Sequence, residues 1–287
     1  MSKIALVTDS TSNLPPEMIA HYGIRVVPVY VNFGAESYKD YEELPPAKFY
    51  ERLTATKAAG GEMPKTSQPS PDDFRRAYED CRAAGAADVI SIHVTAKASG
   101  TCASAELARS MVLGLNVHVV DSASTSMVMS YMLVEAHDAL AAGGDVAAAL
   151  AAIERVKAHS ALVFTVTEIE HLTASGRTEG AEKVAEVAIS VKPIISVEGG
   201  VPKAVAQERT QRAALQRVLT LTKEKMAASK LKRLSIVNGN VAAKAGEWAV
   251  EAAAALDYPG EVVVVDFGPA LAVHFGPGLL GVAAQWE

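Results

Sequence analysis

Apolar positions in the first half of the chain fall into short β-branched runs separated by stretches with helical spacing. "KIALVTDS", "IRVVPVYV", "DVISIHVT" and "NVHVVDS" read as strands. Between them the pattern predicts helices from about Pro15 to His21, around Pro46 to Ala55, from Pro71 and from near Gly100, then alanine-rich helices from Ser124 to Ala158. Parallel strands covered on both faces read as continuous apolar runs, so this alternation predicts a mostly parallel sheet flanked by helices. From "ALVFTV" onward the texture changes. "VKPIISVEGGVPKAVAQE" reads as two strands joined at Gly199 and Gly200, a hairpin signal not found in the first half. Helices follow from about Thr210 to Ala228 and near Ala242 to Ala255, with strands in "LKRLSIVNGN", "EVVVVDF" and "GLLGVAAQW". The fold class is α/β: an N-terminal mostly parallel sheet domain over residues 1–159, joined to a second α+β domain over 160–287.

Composition narrows the class further. At 287 residues, 49% hydrophobic and 21% charged, the chain has the make-up of an ordinary globular protein able to bury a large core. A net charge of −6 with scattered Lys and Arg argues against nucleic acid as a partner. The most apolar stretch, Met127 to Leu140, is interrupted by Glu135, His137 and Asp138, which suits a buried helix better than a membrane span. Cys81 and Cys102 fall on separate helices without metal-ligand spacing and read as core filler in a reducing compartment. "MSKIALVTDS" opens on a strand with no signal-peptide pattern, so a cytoplasmic location is expected.

Candidate chemistry lies just after the strands, where a parallel sheet gathers its ligands. Hydroxyl-rich segments stand there: Thr8-Asp9-Ser10, Ser99-Gly100-Thr101 and Asp121-Ser122. Gly100 lets the backbone approach an anion closely, and Ser99 and Thr101 sit at a helix start whose N–H groups carry partial positive charge. "KTSQPSPDDF" adds a surplus. Ser70, Pro71, Asp72 and Asp73 suffice to begin a helix, which leaves Thr66 and Ser67 over. The aspartates after the strands read as turn chemistry. No G-x-S-x-G elbow, phosphate loop, dinucleotide fingerprint or metal-binding cluster is present, so no cofactor and no metal are expected. A serine hydrolase or acyltransferase using Ser99 with His274 and one of the aspartates is the enzymatic alternative.

The motifs "VTDSTSNLP", "TSQPSP", "SGT", "VVDS", "KPI" and "HFGPGLLG" occur in an order that resembles the DegV family, the bacterial fatty-acid-binding proteins also called FakB. The resemblance spans Val7 to Gly281 and implies a two-domain, non-enzymatic carrier. Such a carrier encloses a long-chain fatty acid in an internal apolar tunnel. It presents the carboxyl group to a separate fatty acid kinase, which makes the acyl phosphate for phospholipid synthesis, and touches membranes only transiently for lipid exchange. By resemblance, Thr66 or Ser67 with Ser99, Gly100 and Thr101 hold the carboxylate, His274 stands beside it, and Arg177 in "LTASGRTEG" supports it or the kinase. "SMVMSYMLVEA" and "VAEVAISV" are candidate tunnel lining, the methionines adapting to a flexible chain.

Overall fold

The computed structural model describes residues 3–186 and 191–287. The first half runs β1 (Lys3–Asp9), α1 (Pro16–Tyr22), β2 (Arg25–Val27), β3 (Tyr30–Phe33), β4 (Glu36–Lys39), α2 (Pro46–Ala58), β5 (Lys65–Ser67), α3 (Pro71–Ala83), β6 (Ala86–His93), α4 (Thr101–Arg109), β7 (Asn116–Asp121), α5 (Ser126–Ala141) and α6 (Val146–Ala158). The second half runs β8 (Ser160–Thr165), α7 (Ile169–Ser175), α8 (Ala181–Glu186), β9 (Lys192–Glu198), β10 (Val201–Glu208), α9 (Gln211–Met226), β11 (Leu231–Asn238), α10 (Ala242–Ala255), β12 (Val263–Asp266), α11 (Pro269–Phe275) and β13 (Leu280–Trp286).

The parallel sheet has the order β2-β1-β6-β7. Its strands are apolar on both faces because each face is covered. Val7 and Val89 pack under α3 and α4 with Phe74, Tyr78 and Ala105, whereas Ile90 and Ile92 pack under α5 with Met127, Tyr131 and Met132. The second sheet has the order β10-β9-β8-β13-β11-β12 and is antiparallel except between β11 and β12. One face carries α9 and α10 through Leu215, Val218 and Trp248, while Leu162, Phe164 and Val237 on the other join the cluster around α5.

That placement explains why α5 is apolar all round: it lies between the two sheets, with Ser126 through Val134 buried. Tyr131 Oη lies 2.8 Å from Ser235 Oγ and 3.1 Å from Ala283 O, so even its polar atom is satisfied. The charges that interrupt the stretch are paired at its exit. Glu135 meets Lys232 and Arg233 of β11, and Arg233 also lies 3.5 Å from Asp138. Burial opposes ionisation of Glu135, but Arg233 and Lys232 hold its pKa down to about 2. Its stabilising contribution is therefore complete above the ordinary carboxylate range and is lost as pH falls from about 4 to 2. Glu135→Gln is expected to cost about 1–3 kcal/mol in urea denaturation at pH 7, with the difference from the parent shrinking as pH approaches 2.

Three local expectations change. "IRVVPVYV" is not one strand: Pro28, which lacks the N–H a ladder needs, separates β2 from β3, and these join different sheets. The first half also contains an antiparallel hairpin, β3–β4, turned at Gly34 with φ +60°, and with β5 it forms a third sheet in the order β4-β3-β5. No helix is predicted between "EVVVVDF" and "GLLGVAAQW", yet "GPALAVHF" contains α11.

Other local readings hold. Ser70 Oγ accepts the Asp73 N–H at 3.2 Å, and the Asp73 carboxylate accepts the Ser70 N–H at 2.8 Å, which closes a capping box on α3. Gly199 and Gly200 turn the β9–β10 hairpin with φ +55° and +84°. Cys81 and Cys102 are buried and unpaired. No helix among the described residues is long and apolar enough to cross a membrane.

Candidate functional site

The loops at the C-terminal ends of the parallel strands meet β5, α11 and the segment after α7 around a cavity of about 250 Å³. Its apolar wall comes from Val29, Val94, Val197, Pro202, Leu271 and Phe275, and its polar groups include Thr66, Ser99, Arg177 and His274. A mostly apolar hollow with a few convergent polar groups is the usual make-up of a small-molecule site.

Strand register decides which hydroxyl of "TSQPS" faces inward. Thr66 pairs with the fully buried Val31, so it shares the inner face of the small sheet, and Lys65 and Ser67 alternate outward. Thr66 Oγ1 lies 2.9 Å from His274 Nε2, a contact between residues 208 positions apart. Ser67 reaches the cavity rim, where its Oγ accepts from Asn32 Nδ2 at 3.3 Å. Across the cavity Ser99 Oγ and Thr101 Oγ1 are 2.8 Å apart, and the Thr101 N–H donates to Ser99 Oγ at 3.3 Å. Gly100 leaves room for Gln68: a Cβ there would fall 2.7 Å from Gln68 Nε2.

His274 stands in the last turn of α11. At the start of that helix the Ala270 N–H donates to Asp40 Oδ1 at 3.2 Å. Burial, reinforced by the positive charge of Arg177 and by His171, pushes the His274 imidazole pKa down to about 3, so the ring is neutral at physiological pH. Its Nδ1 is buried and has no partner among the described residues. Arg177 is exposed and unpaired with any carboxylate among the described residues. Its Nε donates to Ala98 O at 3.0 Å and its Nη1 to Ser175 O at 3.0 Å. Together with Thr95 Oγ1, which donates to Gly200 O at 2.8 Å, Arg177 ties the second half of the chain to the loop that carries Ser99. A second hollow of about 510 Å³, lined in part by Met63, Lys65, Ala174 and Val273, shares Thr66, Arg177 and His274 with the first.

The proposed nucleophile geometry is not assembled. Ser99 bonds to Thr101, His274 bonds to Thr66, and no aspartate reaches His274 Nδ1 among the described residues. An Asp–His–Ser contact exists elsewhere: His93 Nδ1 lies 3.1 Å from Asp9 Oδ2, and its Nε2 lies 2.7 Å from Ser91 Oγ. All three side chains are fully buried, and Tyr78 Oη donates to Ser91 at 2.9 Å, so this network is structural. Asp9 also accepts the Thr11 and Val94 N–H groups, each at 3.0 Å, and Asp121 accepts the Ala123 N–H at 2.8 Å, the turn chemistry expected of them.

The methionines of "SMVMSYMLVEA" belong to the core beside α5 rather than to the cavity wall, which this segment reaches only through Thr125 just before it. "VAEVAISV" covers residues 184–191, of which 187–190 lie outside the described residues. Sequence reasoning missed Thr11, Gln68, Thr95 and Thr125 in the lining. Thr11 and Thr125 follow β1 and β7 by a few residues, so the rule that selects residues after parallel strands finds them when extended by one turn.

The family model described as "Uncharacterised protein, DegV family" matches residues 3–287. A DegV domain-containing protein of Halalkalibacterium halodurans is 32% identical over 99% of this chain and 98% of its own. Among solved structures, a DegV family protein of Thermus thermophilus described for fatty acid binding superposes with a TM-score of 0.89 at 32% identity, covering both chains fully. DegV of Bacillus subtilis, described as a fatty acid binding protein, gives 0.87 at 28% identity, again over both full chains. From the ordered motifs to the two packed sheets, this chain belongs to the DegV family.

Proposed function

We propose that this protein is a non-enzymatic carrier of a long-chain fatty acid, which presents the carboxyl group to a separate fatty acid kinase for acyl-phosphate formation and phospholipid synthesis. The observation that carries this reading is the convergence of the Thr66 and Ser99 hydroxyls, bonded to His274 and Thr101, on a mostly apolar cavity. Related proteins of Thermus thermophilus and Bacillus subtilis that are described as binding fatty acid support it. The reading divides the chain at residues 159 and 160, where the parallel sheet gives way to the six-stranded one, with the head-group site on the seam.

His274 is neutral, so with its proton on Nε2 it donates to Thr66 Oγ1 and leaves the threonine hydrogen free to donate to a carboxylate. Ser99, held by its bonds to Thr101, and the backbone at Gly100 supply further donors opposite. Arg177 adds long-range positive charge without a bidentate grip, which leaves the carboxylate oxygens open to reaction. The tail dominates affinity. About fifteen buried carbons at ~0.8 kcal/mol each give a gross gain on the order of 12 kcal/mol before ordering costs. Each charge-assisted hydrogen bond adds only ~1.5–3 kcal/mol, so the head-group residues set orientation.

Native mass spectrometry of the purified protein is expected to show a bound fatty acid, and delipidated protein that refuses both oleate and palmitate would sink the reading. Ser99→Ala is expected to weaken oleate binding about tenfold while leaving methyl oleate unchanged, since one charge-assisted bond is worth ~1.5 kcal/mol or more. Oleate supplied with ATP and a fatty acid kinase should be phosphorylated only when this chain is present.

A further inference from the structure

A second imidazole stands behind the first. His171, on α7, packs against the end of the helix that carries His274 and is fully buried. Its Nδ1 lies 3.0 Å from the carbonyl oxygen of Val273, the residue before His274. A carbonyl only accepts, so Nδ1 carries the proton and donates. The other nitrogen, Nε2, has Glu168 Oε2 at 3.4 Å but makes no hydrogen bond, so the Val273 carbonyl is the ring's one polar anchor among the described residues.

The ring also fills the space under the turn that ends α11. Gly276 follows the helix with φ +74°, and a Cβ there would fall 2.7 Å from His171 Cδ2. The end of a seven-residue helix has little cooperative stability of its own. Its last carbonyls have no partner within the helix, and one of them is taken by a side chain from another element. Thr66 lies on β5, in the small antiparallel sheet, and His274 rides on α11, so the 2.9 Å contact between them depends on how the last turn of α11 is seated.

We propose that His171 is a positioning residue for the head-group site: by donating to Val273 O, it seats the last turn of α11 so that His274 Nε2 meets Thr66. This rests on the reading that Thr66 and His274 hold a carboxylate. A ligand that never touches His171 would then sense its loss through the carboxylate alone.

Two variants separate the donor from the volume. His171→Asn keeps an N–H near the place of Nδ1, whereas His171→Phe keeps the bulk and loses the donor. Binding of oleate and of methyl oleate is measured for each, alongside the ring ¹H–¹⁵N signals of His274 in the ligand-free protein. His171→Phe is expected to weaken oleate about tenfold, to leave methyl oleate within twofold and to shift the His274 Nε2 signal, and His171→Asn to restore all three. Equal losses for acid and ester would overturn the proposal, because they mark a general packing defect. So would an unmoved His274 signal in His171→Phe, or a His171→Asn variant as impaired as His171→Phe. If His171→Phe does not fold, His171→Leu, which is smaller and also lacks the donor, takes its place with the same expected losses relative to His171→Asn. Should the parent protein bind neither ligand, the carboxylate reading fails by itself, and the His274 signals of the ligand-free variants still decide whether His171 seats that ring.

Discussion

Gly281→Ala is expected to destabilise the protein by about 3 kcal/mol or more, lowering the melting temperature by roughly 6–12 °C in a chain of this size. Gly281 lies on β13, between β8 and β11, where it pairs with Phe164 on one side and Val237 on the other. A Cβ there would fall 2.2 Å from Phe164 Cβ, 2.4 Å from Phe164 Cα and 2.4 Å from Val163 O. Those atoms belong to the neighbouring strand or sit at the root of its side chain, so no rotamer change relieves the clash and the strands must move apart. The effect reaches the site. Phe164 is fully buried with its ring centroid 5.0 Å from that of Phe275, which lines the cavity, so fatty acid binding should weaken with stability. A thermal melt with the parent midpoint would contradict this close approach of β13 to β8.

Asp40→Asn is expected to stabilise the protein at pH 8 and to do so by less than half as much at pH 5. Asp40 is buried, with Oδ1 accepting the Ala270 N–H and Oδ2 without a partner among the described residues. Burial, partly offset by hydrogen bonds from Ser10 and Ala270, raises its pKa to about 7. In the unfolded chain the group titrates near 3.9, so between about pH 4 and 7 the folded state holds a proton that the unfolded state has lost. Stability therefore falls as pH rises through that window, by up to about 4 kcal/mol at ~1.4 kcal/mol per pH unit. Asparagine keeps the acceptor for Ala270 and carries no charge to desolvate. Urea denaturation at pH 5, 6, 7 and 8 should give a falling series for the parent and a flatter one for the variant. Parallel series for the two proteins would show that Asp40 is not the titrating group.

What could be read without coordinates depended on how local its cause is. The α3 start was legible because Ser70 and Asp73 satisfy each other's N–H groups within one turn. The Gly199–Gly200 turn was legible because both residues take positive φ. Burial of α5 could be read from its apolar run, but not that both sheets share it. The small antiparallel sheet escaped because β5 is three residues long, too short for a period to show, and runs straight toward the α3 start. Helix α11 escaped because seven residues between Gly268 and Gly276 look like a loop.

The alternation of strands and helices, the hydroxyl-bearing segments and the order of the family motifs were determined by the sequence alone, since side-chain periodicity and turn chemistry act within a few residues. Tertiary structure alone decided that Thr66 rather than Ser67 faces inward, that His274 meets Thr66, and that Asp40 and His171 hold the two ends of α11. Those outcomes hang on strand register and on contacts between distant positions. Closing such a contact costs chain entropy that rises only slowly with separation, so it leaves no mark on the residues near either end.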